Sequence, residues 1–318
     1  VYRAKGDFNQ AGILYERSMQ IDKDLLANDH PDYARDLNNL ALLYFEEGKY
    51  DLAEPLLKNA LEITEKSAGP THPDLVPILN NIGMLSIVQN KVDQAISYQT
   101  RANEISEQSL SMILSSGTEE QKRLFLAGRK DEINSTLSLN IKFAPANVEA
   151  TRLALRTILR RKGRVLDAVS HQLLSLRQHL SEADQKLLDE LSTTRADLSH
   201  RILHGPGQDK KEEFQKSITD LQTKSDQLEK EISTHSAAFR TQQAEVSVEA
   251  VQNVLPKDMT LIEFATYRLL DSKAKTRKQR YGSSRYVAYI LKHDGAPRII
   301  DLGDANIIAK GISERSMC

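Results

Sequence analysis

The sequence has little of several residue types that mark common protein classes. Its 318 residues include one cysteine, Cys318, no tryptophan, and only 5% aromatic residues. One cysteine cannot form an internal disulfide, which excludes a disulfide-stapled secreted domain and favours a reducing, cytoplasmic location. No apolar stretch approaches the roughly 20 residues that span a bilayer, and the N-terminus lacks the layout of a signal peptide.

The chain also lacks an excess of either charge. It has 43 basic and 44 acidic residues and a net charge of −1, so neither nucleic acid nor a membrane is expected as its main partner. His200 and His204 are four positions apart, but no carboxylate, cysteine or third histidine joins them at a spacing typical of metal sites. We therefore expect no metal and no cofactor.

What the sequence does contain is a repeat. His30-Pro31-Asp32 returns as His72-Pro73-Asp74, 72 − 30 = 42 positions later, and Leu37–Ala41 is echoed by Leu79–Gly83. A period in this range is typical of stacked helical hairpins, each of which buries an apolar face against its neighbours. The helices are predicted at 8–28, 31–47, 50–67, 73–89 and 92–108.

The repeated tripeptide has a structural interpretation. Proline suits the first turn of a helix, and an aspartate there favours the positive end of the helix dipole. We therefore predict that Pro31 and Pro73 begin helices and that His30 and His72 are capping or turn residues.

This pattern, with Gly48-Lys49-Tyr50 between two helices, resembles the tetratricopeptide repeat in the long form of kinesin light chains. The resemblance is close over 28–69 and weaker over 70–108, where Asn90 replaces Gly48. It implies a concave groove that binds a protein or peptide ligand. Asparagine amides suit an extended peptide backbone, but paired asparagines also suit a tie between neighbouring helices. The residues predicted for the groove are Arg35, Asn38, Asn39, Leu42, Asn80, Asn81 and Met84.

Helical periodicity continues after the repeats. Asn147 is predicted to cap a helix, and the basic run Arg160–Arg164 is predicted to break it, either as a solvated helix end or as a contact for an acidic partner. His204-Gly205-Pro206-Gly207 is strong turn chemistry between two apolar seams. The second seam consists of Phe214, Ile218, Leu221, Leu228 and Ile232, and the first of Leu187, Leu191, Leu198 and Ile202. The two seams predict an antiparallel hairpin, which is expected to serve as a rigid spacer or docking arm within the protein rather than as a free dimerisation zipper.

From Leu255 the pattern changes to strands. Residues 260–267, 285–291 and 297–302 are predicted as strands, with a short helix after Gly303-Asp304. The second strand is apolar on both faces and is expected at the centre of a covered sheet. Between the first two strands lies a basic loop, interpreted either as a solvated loop or as a recognition element for an acidic partner. It contains Lys273, Lys275, Arg277, Lys278 and Arg280.

These segments carry a second resemblance, to the approach and opening strands of a CHAT domain, a caspase-like family. The segments that show this resemblance are residues 159–168, Leu255-Pro256, 261–264, 286–289 and 301–305. Proteases of that family use a Cys–His pair, but no position here matches it, because His293 falls in a turn and Cys318 follows no histidine-bearing strand. No catalytic residue is therefore assigned.

The predicted fold is mostly α: a tetratricopeptide-type helical solenoid, a helical connector with a long antiparallel hairpin, and the start of an α/β caspase-like sheet. The predicted domains are 1–108 (repeats), 109–250 (connector, with the hairpin at 182–247) and 251–318 (start of a CHAT domain). The chain is expected to be cut at both ends, and no oligomeric state is predicted. Two functions remain open: the recognition and regulatory part of a caspase-like cysteine peptidase, or a non-catalytic scaffold.

Overall fold

The computed structural model describes residues 2–25, 30–116, 130–169, 180–205, 209–235, 246–272, 274 and 279–315. The helices are α1 (Tyr2–Lys5), α2 (Phe8–Leu25), α3 (Pro31–Glu46), α4 (Tyr50–Ala68), α5 (Leu75–Val88), α6 (Val92–Ser116), α7 (Lys130–Ser138) with a π-helical turn (Leu139–Phe143), α8 (Val148–Val169), α9 (Glu182–His204), α10 (Lys211–His235), α11 (Val248–Val254) and α12 (Ala305–Arg315). The strands are β1 (Thr260–Leu270), β2 (Tyr281–Lys292) and β3 (Arg298–Asp304). No helix within these ranges is long and apolar enough to cross a membrane.

The predicted solenoid is confirmed. Helices α2 to α6 pack in sequence, each against the next, and small residues such as Ala41, Ala53 and Ala60, all fully buried, let them approach closely. Two details differ from the prediction. Helix α6 runs on to Ser116, and α5 begins at Leu75, so that Pro73 lies in the turn before it.

The turns between paired helices repeat their backbone geometry every 42 residues. Gly6, Gly48 and Asn90 have φ values of 80°, 78° and 61°. Helices commonly end on a residue in this left-handed region, usually glycine and sometimes asparagine. The replacement of Gly48 by Asn90 therefore preserves the turn where the repeat is weakest in sequence.

The capping role of the repeated histidines is also confirmed. The Nδ1 atom of His30 accepts from the backbone N–H of Asp32, and that of His72 accepts from the N–H of Asp74, both at 3.2 Å. His72 makes a further bond, because its Nε2 lies 3.0 Å from the carbonyl oxygen of Ile202 in the last turn of α9. The same ring thus joins the repeats to the helical hairpin.

The hairpin α9–α10 forms as predicted, with α9 also packed on α6. Leu191, Leu228 and Ile232 are buried in its seam. Helix α9 ends at His204, and Gly205 follows with a φ of 71°; Pro206 and Gly207 lie outside the described residues.

The predicted break at Arg160–Arg164 is wrong, because α8 is continuous from Val148 to Val169. Arginine and lysine are good helix formers, and one glycine inside a helix costs only about 1 kcal/mol relative to alanine. The basic run contacts its own chain. Arg160 donates to the carbonyl of Val246 at 3.1 Å, and Lys162 pairs with Glu263 on β1. Asn147 caps α8 as predicted, accepting from the N–H of Ala150.

The three strands form an antiparallel sheet in the order β1-β2-β3, so the central position of β2 is confirmed. One face of the sheet, which carries Tyr289, packs on α7, α8 and α11 through Leu137, Leu155 and Val248.

The expected cover of the other face is found only in part among the described residues. Ala288 of β2 is buried there and α12 contacts β2 and β3, but Ile262 and Phe264 of β1 are about half exposed, at 49% and 55%. We call β1–β3, residues 260–304, the strand module.

The C-terminal end of the outer edge of β1 is covered by side chains of α7 and of the π-helical turn that follows it. Asn134, Ser138 and Lys142 follow one another at helical spacing. Asn134 Oδ1 accepts from the N–H of Arg268, Ser138 Oγ accepts from the N–H of Leu270, and Lys142 Nζ donates to the Leu270 carbonyl. These groups supply the bonds that a fourth strand would otherwise make.

Candidate functional site

A cavity of about 630 Å³ lies between the repeats and the rest of the chain. Its repeat side is formed mainly by α3 and α5, the first helices of their pairs, and by the inner face of α6. Its opposite side is formed by α7, by the end of β1 and by the start of β2. Six of the seven predicted groove residues border this cavity: Asn38, Asn39, Leu42, Asn80, Asn81 and Met84.

Arg35, the seventh, lies outside the cavity. Its guanidinium pairs with Asp32 at 2.8 Å, one helical turn away, and its side chain is 67% exposed. This is the i,i+3 geometry of a surface pair. Arg35 shares the face of α3 that carries Asn38 and Asn39, but it lies one turn nearer the start of the helix and pairs with Asp32 there, so it does not border the cavity.

The asparagines have different surroundings. Asn81 donates to Asn38 Oδ1 at 2.9 Å, which ties α5 to α3. Asn80 Oδ1 accepts from Gln99 at 3.2 Å, and Asn39 takes no part in the Asn38–Asn81 bond. Both interpretations of the paired asparagines thus have a structural counterpart, with Asn38–Asn81 between helices and Asn39 and Asn80 beside the cavity.

A buried polar network runs from the cavity into the connector. Gln99 also donates to Asn103 at 2.8 Å, and Asn103 donates to Thr136 on α7 and Thr157 on α8. Gln99 and Asn103 are not among the residues predicted from the sequence. The 42-residue register contains the signal, because they stand where the preceding repeat has Leu57 and Leu61. Polar residues at core positions of a repeat indicate that a further element packs there.

Glu46 is a second departure from the register, which places Ala4 and Val88 at the equivalent positions. Its side chain is only 3% exposed, and its carboxylate lies 3.6 Å from Arg3 and 3.7 Å from Arg280. Burial raises the pKa of this carboxyl group, while the two guanidinium groups act in the opposite direction. A carboxylate at the last residue of a helix lies at the negative end of the helix dipole, which disfavours its charge. The charged form of Glu46 is therefore stabilised by Arg3 and Arg280.

Tyr281 fixes the wall opposite the asparagines. Its hydroxyl group donates to the carbonyl of Asp131 at 3.0 Å and lies 2.8 Å from Ser135 Oγ. Both partners are on α7. The start of β2 is therefore held against the connector at the border of the cavity.

The other candidate positions lie elsewhere. His293 is in a bend, as predicted. Its side chain is 28% exposed, and its Nδ1 lies 2.7 Å from the Leu255 carbonyl oxygen, a contact that orients the ring. Within the described ranges, no group of three or more His, Cys, Asp or Glu side chains is placed to hold a metal ion. Cys318 and four of the basic loop residues, Lys273, Lys275, Arg277 and Lys278, lie outside the described residues.

The fold and the cavity together define a helical repeat protein with a concave, amide-lined groove. The model of the tetratricopeptide repeat family matches residues 1–63 and 37–108. The repeats of this chain are therefore tetratricopeptide repeats, a type that generally mediates protein–protein interactions. No curated protein matches the chain.

Proposed function

We propose that the repeats bind an extended segment of a partner protein in the cavity. The observation that carries this proposal is that six of the seven predicted groove residues border one cavity of about 630 Å³, a volume typical of ligand sites. An extended backbone needs hydrogen-bond donors and acceptors. The amide group of Asn39 offers both, and that of Asn80, whose Oδ1 accepts from Gln99, offers its donors.

The test starts with peptides selected on the full chain from a phage-displayed library of random 12-residue sequences. Binding of a selected peptide is measured by calorimetry to the wild type and to the double variant Asn39→Ala, Asn80→Ala. Each hydrogen bond contributes about 0.5–1.5 kcal/mol, so the double variant should lose about one to two decades in affinity.

The matched control is Asn59→Ala with Asn253→Ala, two exposed asparagines on α4 and α11 that do not border the cavity. This variant should bind as the wild type does. Equal affinity of wild type and groove variant would refute the proposal. A groove variant that loses helical content together with affinity would assign these asparagines to packing.

We further propose that the strand module is the opening part of a CHAT domain and that the repeats have the kinesin light chain form. Support comes from the order of the resembling segments and from three strands and a helix at 260–270, 281–292, 298–304 and 305–315. On this proposal, the chain is the recognition and regulatory part of a cytoplasmic caspase-like peptidase. The alternative is a non-catalytic scaffold in which the strand module docks a partner.

The reading frame beyond Cys318 distinguishes the two functions. A strand ending in His-Gly and a later strand ending in cysteine would support the peptidase, whereas a stop codon would favour the scaffold. On either proposal, the chain as it stands should not hydrolyse peptides. Hydrolysis that disappears in Cys318→Ser would contradict both.

A further inference from the structure

Two threonine hydroxyl groups fix the direction of the polar network that joins the cavity to the connector. Thr136 on α7 and Thr157 on α8 each donate to the carbonyl oxygen four residues earlier in the chain, at 2.9 and 2.8 Å. For Thr136 this carbonyl is nearer than Asn103 Oδ1, at 3.4 Å. A hydroxyl group has one proton, so both oxygens accept from Asn103 Nδ2, at 3.0 and 3.2 Å. The amide oxygen of Asn103 is therefore turned toward Gln99.

Gln99 passes this direction on to Asn80. Its Nε2 carries two protons, and it donates to Asn103 Oδ1 at 2.8 Å and to Asn80 Oδ1 at 3.2 Å. The oxygen of Asn80 is thus engaged, whereas its Nδ2 makes no hydrogen bond to the described residues. Asn80 is partly exposed and borders the cavity. Its two N–H donors are therefore the groups left for a ligand.

We propose that Gln99 is a positioning residue of the groove, which holds the NH2 group of Asn80 toward the ligand so that Asn80 binds a main-chain carbonyl oxygen of the peptide. This inference rests on the proposed function for the identity of the ligand, an extended peptide. An amide free to turn over would offer a donor or an acceptor equally. A fixed donor rejects a ligand that places another donor there, because both groups would lack a partner. The connector thus sets what the repeats recognise at Asn80.

Gln99→Glu tests the direction of the network without a peptide. A glutamate side chain has at most one proton to donate, whereas Asn103 and Asn80 together need two donors. Asn103 is held by the threonines, so the amide of Asn80 should turn over and donate to the new carboxyl group. NMR of protein with isotope-labelled asparagine measures the exchange of side-chain amide protons with water, and Asn80→Asp identifies the signal by its loss. Exchange at Asn80 should slow by about two- to tenfold, the range of one hydrogen bond, while exchange at Asn39 stays unchanged.

The effect of Gln99 on peptide binding should run through Asn80, since Gln99 itself is only 6% exposed. Gln99→Glu should weaken binding of the selected peptide by about tenfold, both in the wild type and in Asn39→Ala. In Asn80→Ala it should cause no further loss. The matched control is Gln94→Glu, which places the same group at an exposed position of α6 that does not border the cavity. This variant should bind as the wild type does.

Equal losses in the Asn39→Ala and Asn80→Ala backgrounds would overturn the proposal, because Gln99 would then act on the ligand directly. Unchanged exchange at Asn80 in folded Gln99→Glu would also overturn it. If Gln99→Glu does not fold, the wild type decides. The side-chain amide protons of Asn103, bonded to both threonines, should exchange more slowly than those of Asn80, and equal protection would refute the proposal. The exchange measurements need no peptide, so failure of the positioning and failure of the groove are distinguishable.

Discussion

Glu54 is the residue whose ionisation the structure perturbs most clearly in the repeats. It accepts a hydrogen bond from Lys58 at 2.6 Å within α4 and another from Gln89 at 2.8 Å, just beyond α5. The bonds from Lys58 and then Gln89 lower the pKa of its carboxyl group from 4.5 to about 2. The charged form is thus tied to the packing of one repeat on the next.

This perturbation predicts a pH-dependent stability. Because the pKa of Glu54 is lower in the folded state, its carboxylate stabilises the fold at pH values above the ordinary pKa of the group. This stabilisation is lost as the pH falls toward the pKa of the folded state. Glu54→Gln should cost about 0.5–1 kcal/mol near neutral pH, since Lys58 is largely in solvent. The difference from the wild type should shrink below about pH 4.5.

Urea denaturation between about pH 7 and pH 3 measures the effect. Glu62→Gln is the comparison, because Glu62 pairs only with Lys66 on its own helix, and its loss should matter less at every pH. A cost for Glu54→Gln that stays constant across the range would contradict the assignment.

At the scale of elements, the contact of α7 with β1 consists of side chains that bond the backbone of a strand. Ser138 is fully buried, and its hydroxyl accepts from the N–H of Leu270 at 2.8 Å. Without that hydroxyl group, a buried backbone donor would have no partner in this contact. Such a loss costs about 1–3 kcal/mol.

Ser138→Ala should therefore lower the free energy of unfolding by about 1–3 kcal/mol. Ser86→Ala is the matched control. Its hydroxyl group is also buried, but it bonds only the carbonyl of Ile82 one turn earlier, a carbonyl that the helix already satisfies. Equal midpoints of denaturation for the two variants would show that α7 does not cap the strand edge.

The elements that could be predicted from the sequence are those encoded locally. The repeats could be predicted because each one buries the same face of its helices. The central position of β2 could be predicted because this strand is apolar on both of its faces. The row Asn134, Ser138 and Lys142 carries no such signal, because polar residues at helical spacing are typical of a solvated surface. The break expected at Arg160–Arg164 was wrong for a related reason. Local charge does not reveal that Lys162 pairs with Glu263, about a hundred positions away.

At the scale of the whole molecule, the helical hairpin is held on the repeats by the packing of α9 on α6 and by hydrogen bonds from His72 and Gln215. Since Nδ1 of His72 accepts a backbone N–H, the proton is on Nε2, which donates to Ile202. That carbonyl belongs to the last turn of α9, where carbonyls lack helical partners. Gln215 of α10 adds a bond to the Lys66 carbonyl at 3.1 Å.

His72→Ala should therefore loosen the hairpin more than the repeats. Hydrogen exchange in the last turn of α9, residues 201–204, should become up to about tenfold faster, since one hydrogen bond contributes about 0.5–1.5 kcal/mol. His30→Ala removes the same type of cap but no contact with the hairpin, so exchange in α9 should not change. Equal effects of the two variants on α9 would contradict this role.

The candidate site was only half predictable. The asparagine row follows from the repeat period, because equivalent positions of stacked helices share one face. The opposite wall comes from Leu270, Arg280 and Tyr281, which no pattern connects with the repeats. The departures from the register at Glu46, Gln99 and Asn103 are the traces that this long-range packing leaves in the sequence.

The covered edge of β1 also limits how copies of this chain can associate. A sheet with two open edges can add copies without end and form a fibre. Here side chains of α7 occupy the end of one edge, at Arg268 and Leu270, and among the described residues no strand pairs with the outer edge of β3. A strand that pairs with this end of β1 must displace those side chains, whereas a strand that pairs with β3 displaces none. Contact of β3 with β3 is therefore favoured, and it joins copies in two-fold pairs.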